Sequence, residues 1–232
     1  MRGRVSCLAL AVLFVLGGCS DDEPEAEPTP APTPTVRPPD VAVPEGVELT
    51  EAGAELALGE PASAVFQAGR NRVSTIALRV TRVVKGSMER DFTNFGLTAK
   101  QLQQEPYYVS VKLTNTGPNP LGGASAPLWV LDSTNTYFPA TTLVGHLPSC
   151  QGGPLPKPFT TGDSVSTCLL FLAEPGTTVE EIQLRPYEGF EPVVWAVPES
   201  VELAAQRRER RDQADGGKGD QPRRPRTPGN RG

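Results

Sequence analysis

The stretch YYVSVKLTN, residues 107–115, alternates with a period of two. Tyr107, Val109, Val111 and Leu113 point one way and Tyr108, Ser110, Lys112 and Thr114 the other, as on a strand with one buried face. Thr116-Gly117-Pro118-Asn119-Pro120 then stops it, because two prolines, a glycine and an asparagine favour a turn and withhold ladder donors. The same reading extends outward in both directions. Upstream, RVSTIALRVTRVVK (72–85) places Ile76, Leu78 and Val80 on one face with Arg79 on the other. Downstream, LWVLD (128–132) reads as a buried strand, and Ser133-Thr134-Asn135 turns it into Tyr137-Phe138. Gly162-Asp163 leads into SVSTCLLFL (164–172), which Pro175-Gly176 ends; residues 181–185 and 192–197 finish the series. Helical periodicity is hard to find between 51 and 203. Six to eight short strands at such spacing predict an all-β domain, an immunoglobulin-like antiparallel β-sandwich over 51–203. Residues 86–104 (GSMERDFTNFGLTAKQLQQ) read as a long loop with a turn of helix around Ala99–Gln103.

The succession YYVSVKLTNTG, LWVLDSTNTYFPA and TTGDSVSTCLLFLAEPG is similar to a family of exported immunoglobulin-like lipoprotein domains of high-GC Gram-positive bacteria, a family of unknown function related to the telokin-like secreted antigens. The matching positions are Thr114–Gly117, Asp132–Tyr137 and Gly162–Pro175, and the resemblance covers about residues 55–197. It implies a sandwich exposed on the cell surface and brings no catalytic residues. Residues 86–104 depart from it, being longer and more polar than that connection usually is.

The first residues give an address. Met1–Arg4 carries Arg2 and Arg4 with no acid, and Val5–Leu16 is free of charge, which is the plan of a secretory signal too short to remain as a span. Leu16-Gly17-Gly18-Cys19 resembles the lipobox of bacterial lipoproteins. Small residues there admit a peptidase, and the free thiol accepts a diacylglycerol thioether. Residues 1–18 are therefore expected to be a lipoprotein signal peptide and Cys19 the lipidation site. Cys19 would hold the protein, through its acyl chains, on the extracytoplasmic face of the cell membrane. Cys7 lies within the segment to be removed.

Charge divides the rest. Residues 19–50 hold eight acids and one base, 51–203 fifteen acids and ten bases, and 204–232 four acids and nine bases. The first is an acidic tether rich in proline, expected in extended polyproline II form. The last is expected to be a basic disordered tail, with a short helix begun at Pro198-Glu199-Ser200-Val201-Glu202 and disorder beyond Asp215. Contact of this tail with anionic lipid or wall polymer is an alternative to a solvated tail.

Once Cys7 and Cys19 are set aside, Cys150 and Cys168 remain, and an exported chain is expected to join them in a disulfide. The competing arrangements are a His146–Cys150 dyad, which needs a free thiolate that a disulfide would consume, and a metal site with Cys168, which lacks a fourth ligand at proper spacing since His146 is the sole histidine. No Gly-x-Ser-x-Gly, phosphate-binding glycine loop or His-Glu-x-x-His occurs. Glu180 and Glu181, adjacent on a strand, point to opposite faces. Trp129 and Trp195 are expected in the core rather than on a carbohydrate platform. Arg79, Arg82 and Lys85 form a candidate basic edge, though a domain of net −5 makes a poor nucleic-acid binder. No catalytic residue, cofactor, metal or nucleic-acid partner is expected. The leading expectation is a lipid-anchored, non-catalytic binding module whose partner is an envelope protein or wall polymer. Its rivals are a hydrolase assembled from Asp132, Glu174 and His146, and a passive spacer.

Overall fold

The computed structural model describes residues 39–216. The signal peptide, Cys19, most of the tether and the tail beyond 216 lie outside the described residues. Thr50 joins the chain to the domain: its N–H donates to the Ser63 carbonyl (2.8 Å) and its hydroxyl accepts from the Ser63 N–H (2.9 Å).

Nine strands follow: β1 (Glu55–Leu56), β2 (Pro61–Gly69), β3 (Arg72–Lys85), β4 (Glu105–Asn115), β5 (Leu128–Asp132), β6 (Tyr137–Pro139), β7 (Ser164–Ala173), β8 (Val179–Leu184) and β9 (Val193–Ala196). They form two sheets, one in the order β1-β9-β8-β5-β6 and one in the order β2-β3-β4-β7. All pairings are antiparallel except the two-residue β1, which runs parallel to β9. This is the expected immunoglobulin-like β-sandwich, with β1 and β2 added to the strands read from the sequence.

The core lies between the sheets and is built by the alternation that defines the strands. Tyr107, Val109, Val111 and Leu113 of β4 are buried, as are Ile76, Leu78 and Val80 of β3, facing Val130, Ile182, Leu184, Val193 and Trp195. In β3 the period breaks after Val80. Val80 pairs with Val111 but Arg82 with Ser110, so Thr81 is an extra residue and Val83 takes the next inward position. Gly117 ends β4 in tight contact with the backbone and hydroxyl of Thr75, where a Cβ has no room.

Residues 86–104 are more ordered than a loop. They contain α1 (Met88–Asp91), capped by Ser87, and a 3₁₀ turn at Gln101–Gln103 where the turn of helix was expected. Met88 and Phe92, with Leu147 and Cys150, bury the outward residues Tyr108 and Leu170 in a second, smaller core on the outside of the four-stranded sheet. Tyr108, assigned by alternation to the solvent side, is thus buried. Its hydroxyl donates to Asp91 (2.8 Å), which also accepts from the Ser87 N–H (2.9 Å).

The helix expected to begin at residues 198–202 is α2 (Ser200–Gly216), which ends about where disorder is expected to start, at Asp215; residues 204–216 are thus helical rather than part of a disordered tail. Val201 and Ala205, four apart on one helical face, are buried against the sandwich. Glu202 accepts from the Tyr107 hydroxyl and from Lys85 Nζ (2.8 Å), and Arg208 donates to the Lys85 carbonyl (3.1 Å). A compositionally polar segment is ordered by a few apolar and ionic anchors that its charge count conceals. Among the described residues no helix is long and apolar enough to cross a membrane.

Candidate functional site

β2 passes into β3, β5 begins and β8 ends at one end of the sandwich, so their connecting loops gather there. These loops and the segment after β6 enclose an open groove of about 1150 Å³. Loops at the end of a rigid sandwich are free of ladder constraints, which is why this fold carries binding surfaces there.

One wall comes from the five-stranded sheet. Trp129 occupies an outward position of β5 opposite Gln183, and its ring meets Tyr137 at 5.7 Å between centroids in an edge-on arrangement. The Arg185 guanidinium sits 4.2 Å from the centre of the Tyr137 ring, a cation–π distance, and its Nε donates to Gln183 Oε1 (2.9 Å). Gln183 in turn donates to Glu181 (2.8 Å). Past Pro186, Tyr187 packs edge-on against Phe190 at 5.1 Å. The expectation of core packing therefore holds for Trp195, which is fully buried and donates from its indole to the Glu60 carbonyl, and does not hold for Trp129, which is half-buried in the groove. The outward parity of β5 at Trp129 decides this.

The opposite wall is the segment 141–154. Thr141 bridges to Leu170 of β7, and Cys150 is bonded to Cys168 in β7 with a Cα–Cα distance of 5.2 Å. Closing this loop of 18 residues contributes about 3 kcal/mol on the chain-entropy account. Gly152 lies so close over β7 that a Cβ would collide with the Cys168 carbonyl oxygen. The loop is thus pinned flat by a covalent bond and a side-chain-free contact. Its tip is left out in solvent: Val144 is 97 % exposed, and Tyr137 across the groove is 53 % exposed.

The structure separates most of the ionisable candidates. His146 is exposed and lines the groove, with Gln151 Nε2 at 3.3 Å from its Nε2. Cys150, its dyad candidate, is consumed by the disulfide. Asp132 is buried at the far end of β5 and Glu174 is exposed after β7; neither lines the groove. Burial alone would raise the Asp132 pKa. The Thr134 hydroxyl (2.6 Å) and the N–H groups of Thr136 (3.0 Å) and Thr134 (2.9 Å), all donating to it, outweigh burial and hold it below the usual carboxylate value. Asp132 is the cap of its own turn. Among the described residues no three His, Cys, Asp or Glu side chains are grouped to hold a metal ion.

The basic edge of Arg79, Arg82 and Lys85 is not one edge. Arg79 and Arg82 are exposed on the outside of the four-stranded sheet, whereas Lys85 is directed to Glu202 (2.8 Å) and Glu105 (3.4 Å). Burial pulls its pKa down; hydrogen bonding to Glu202 and the charge of Glu105 more than offset this, and the net shift is upward. The bulge at Thr81 puts Arg82 on the same face as Arg79, and the regular alternation that follows turns Lys85 to the other.

Sequence reasoning did not find Tyr137, Arg185 and Tyr187 as groove residues. The available signal was an arginine at a strand end followed by Pro-Tyr, in register with an outward tryptophan, and it needs the pairing of β5 with β8 to be read.

No protein-family model matches the chain, and no curated protein matches it in sequence. Among solved structures the fold is similar to MPT63, a secreted protein from Mycobacterium tuberculosis. That match has 8 % sequence identity and a TM-score of 0.44, covering 64 % of this chain and all of that one.

Proposed function

We propose that the chain is an exported, lipid-anchored binding module that takes an extended envelope component, a glycan strand or a peptide, in the loop-built groove. One observation carries the reading. The groove brings Trp129, Tyr137 and Arg185 together beside an exposed apolar tip at Val144, while Asp132 and Glu174 lie elsewhere. Half-exposed aromatic rings with a stacked guanidinium supply large contact area at low cost in side-chain entropy, the composition of binding hot spots. They supply no nucleophile, and although His146 and Glu188 both line the groove, no hydrogen bond or ion pair joins the two among the described residues. The lipobox-like Leu16–Cys19 and the resemblance to exported lipoprotein domains support an extracytoplasmic, membrane-held location. The proline-rich tether would give the domain freedom to search for its partner.

The test is retention of solubilised envelope fragments, glycan and peptide fractions separately, on immobilised protein. Trp129→Ala combined with Tyr137→Ala is expected to weaken capture at least tenfold, with His146→Ala close to unchanged. Turnover of ester, peptide, phosphate or glycoside substrates that His146→Ala abolishes would make the protein a hydrolase instead.

A further inference from the structure

Where the second core leaves it uncovered, the outer face of the four-stranded sheet carries bases and hydroxyls, and β3, β4 and β7 place no acid among them. By alternation β3 presents Ala77, Arg79 and Arg82 outward, β4 presents Ser110, Lys112 and Thr114, and β7 presents Ser164 and Ser166. Arg79 stands directly opposite Lys112 in the register, and Arg82 opposite Ser110. Like charges on directly opposed residues of one sheet face cost stability. Nothing in the fold offsets that cost: among the described residues Arg79, Arg82 and Lys112 make no ion pair, and all three are exposed. The acids bordering this face are already engaged. Asp91 holds Tyr108, Ser87 and Arg90, and Asp212 pairs with Arg90 at 2.5 Å. Beside Arg82 the face dips into a hollow of about 480 Å³ that Arg208, Ser110 and Ser149 also line, together with Arg90 and Asp91, which pair with each other.

We propose that this face docks on the anionic surface of the bilayer to which Cys19 would anchor the chain, with a lipid phosphate seated in the hollow between Arg82 and Arg208. The proposal rests on the lipid-anchoring reading only for its setting; the charge complementarity is a property of the folded domain. Charge selects the occupant, since unpaired cations among hydroxyls are complementary to phosphate oxygens. Reach permits it. Residues 20–38 separate Cys19 from the described residues, and any extended chain of that length would span about 60 Å, more than the ~40 Å diameter of a domain of this size, so chain length does not dictate which face meets the membrane. A lipid anchor and a basic patch are the two signals that together make peripheral attachment stable. The groove at the end of the sandwich is a separate surface and would stay open to its own partner.

The experiment uses the chain from Ser20 to Gly232, which keeps every described residue and lacks the lipid, so that failure of the face and failure of the anchor are distinguishable. Sedimentation with phosphatidylcholine vesicles, with and without phosphatidylglycerol, is measured at low and at physiological salt. Binding is expected only to the anionic vesicles and to fall with salt. Arg79→Gln, Arg82→Gln and Lys112→Gln together are expected to weaken it about a hundredfold, at roughly a factor of five per charge. The triple Lys/Arg exchange at the same positions (R79K, R82K, K112R) is expected to restore it, and Arg70→Gln with Lys157→Gln to leave it unchanged. Equal binding to neutral and anionic vesicles, or an unaffected triple Gln variant that is folded by circular dichroism, overturns the proposal. Capture by soluble poly(glycerol phosphate) without vesicle binding overturns it in favour of a wall polymer.

Discussion

At the scale of single residues, the buried polar groups of this domain are explained by the elements they hold. Asp132 accepts three hydrogen bonds from the turn between β5 and β6, and its folded-state pKa is below the unfolded value as a result. A carboxyl depressed on folding stabilises the protein above its unfolded pKa, about 3.9, and that contribution is lost as pH falls through the folded value. Asp163, accepting from the N–H and hydroxyl of Thr160 before β7, is depressed in the same sense on the surface. Urea stability of the protein is therefore expected to be flat from pH 7 to 5 and to fall between about pH 4 and 2. Asp132→Asn keeps an acceptor of the same shape but removes the charge. It is expected to cost about 1–3 kcal/mol at pH 7, because charged acceptors form the stronger hydrogen bonds, and to show a shallower fall in acid. An unchanged acid slope in that variant would assign the titration to other groups.

At the scale of elements, α2 tests whether the sandwich ends with its last strand. Tyr107 is a core residue of β4, yet its hydroxyl reaches Glu202 on the helix; burial and then the Glu202 carboxylate keep that phenol protonated and donating. Lys85 is held by the same carboxylate, so Glu202 links β3, β4 and α2. Glu202→Ala leaves a buried phenol and a mostly buried ammonium short of a partner, and is expected to lower stability by about 2–3 kcal/mol. Hydrogen exchange is expected to lose protection over 203–212 while β7 stays protected; full protection of the helix in the variant would show that Val201 and Ala205 suffice. Which elements were readable follows from the same physics. β3 and β4 alternate because one face is buried, β5 and β7 are apolar runs bounded by turn residues, and the bounds of all four were visible within two residues. β2 (PASAVFQAG) was not, because two of its three inward positions, Ala62 and Ala64, are small residues with almost no hydrophobic contrast, and the buried Val65 beside the inward Phe66 breaks the alternation. The second core was hidden as well: Tyr108 and Leu170 look solvent-facing by parity, and only the folding of 86–104 and 141–150 over them decides otherwise. The groove was legible only as a class of loops, since its aromatic wall depends on long-range register between β5, β6 and β8.

At the scale of the whole molecule, charge is distributed by surface rather than by domain. The folded part is acidic in sum, yet the outer sheet face is basic and is flanked by α2 with its run Arg207-Arg208-Glu209-Arg210-Arg211. Residues 19–50, ahead of the sandwich, are acidic. Acidic sequence is repelled by an anionic surface and a basic face is attracted to it, so at such a surface residues 19–50 and the sandwich would act in opposite senses on the distance between domain and membrane. This arrangement has a purpose only if something holds the chain at the membrane, and Cys19 is the residue that would. A single amphiphilic contact of four or five cations binds weakly and reversibly, while two acyl chains add about 0.8 kcal/mol for each CH₂ they bury. Cys19→Ala is accordingly expected either to be cleaved elsewhere, released into the medium and recovered in the aqueous phase on Triton X-114 partitioning, or to stay unprocessed, with its mass showing residues 1–18 still attached. Mass spectrometry of the native protein is expected to show Cys19 as the first residue, bearing diacylglycerol. Full detergent-phase recovery of Cys19→Ala with residues 1–18 removed would rule out Cys19 as the lipid anchor and leave the basic face as the membrane contact to be tested.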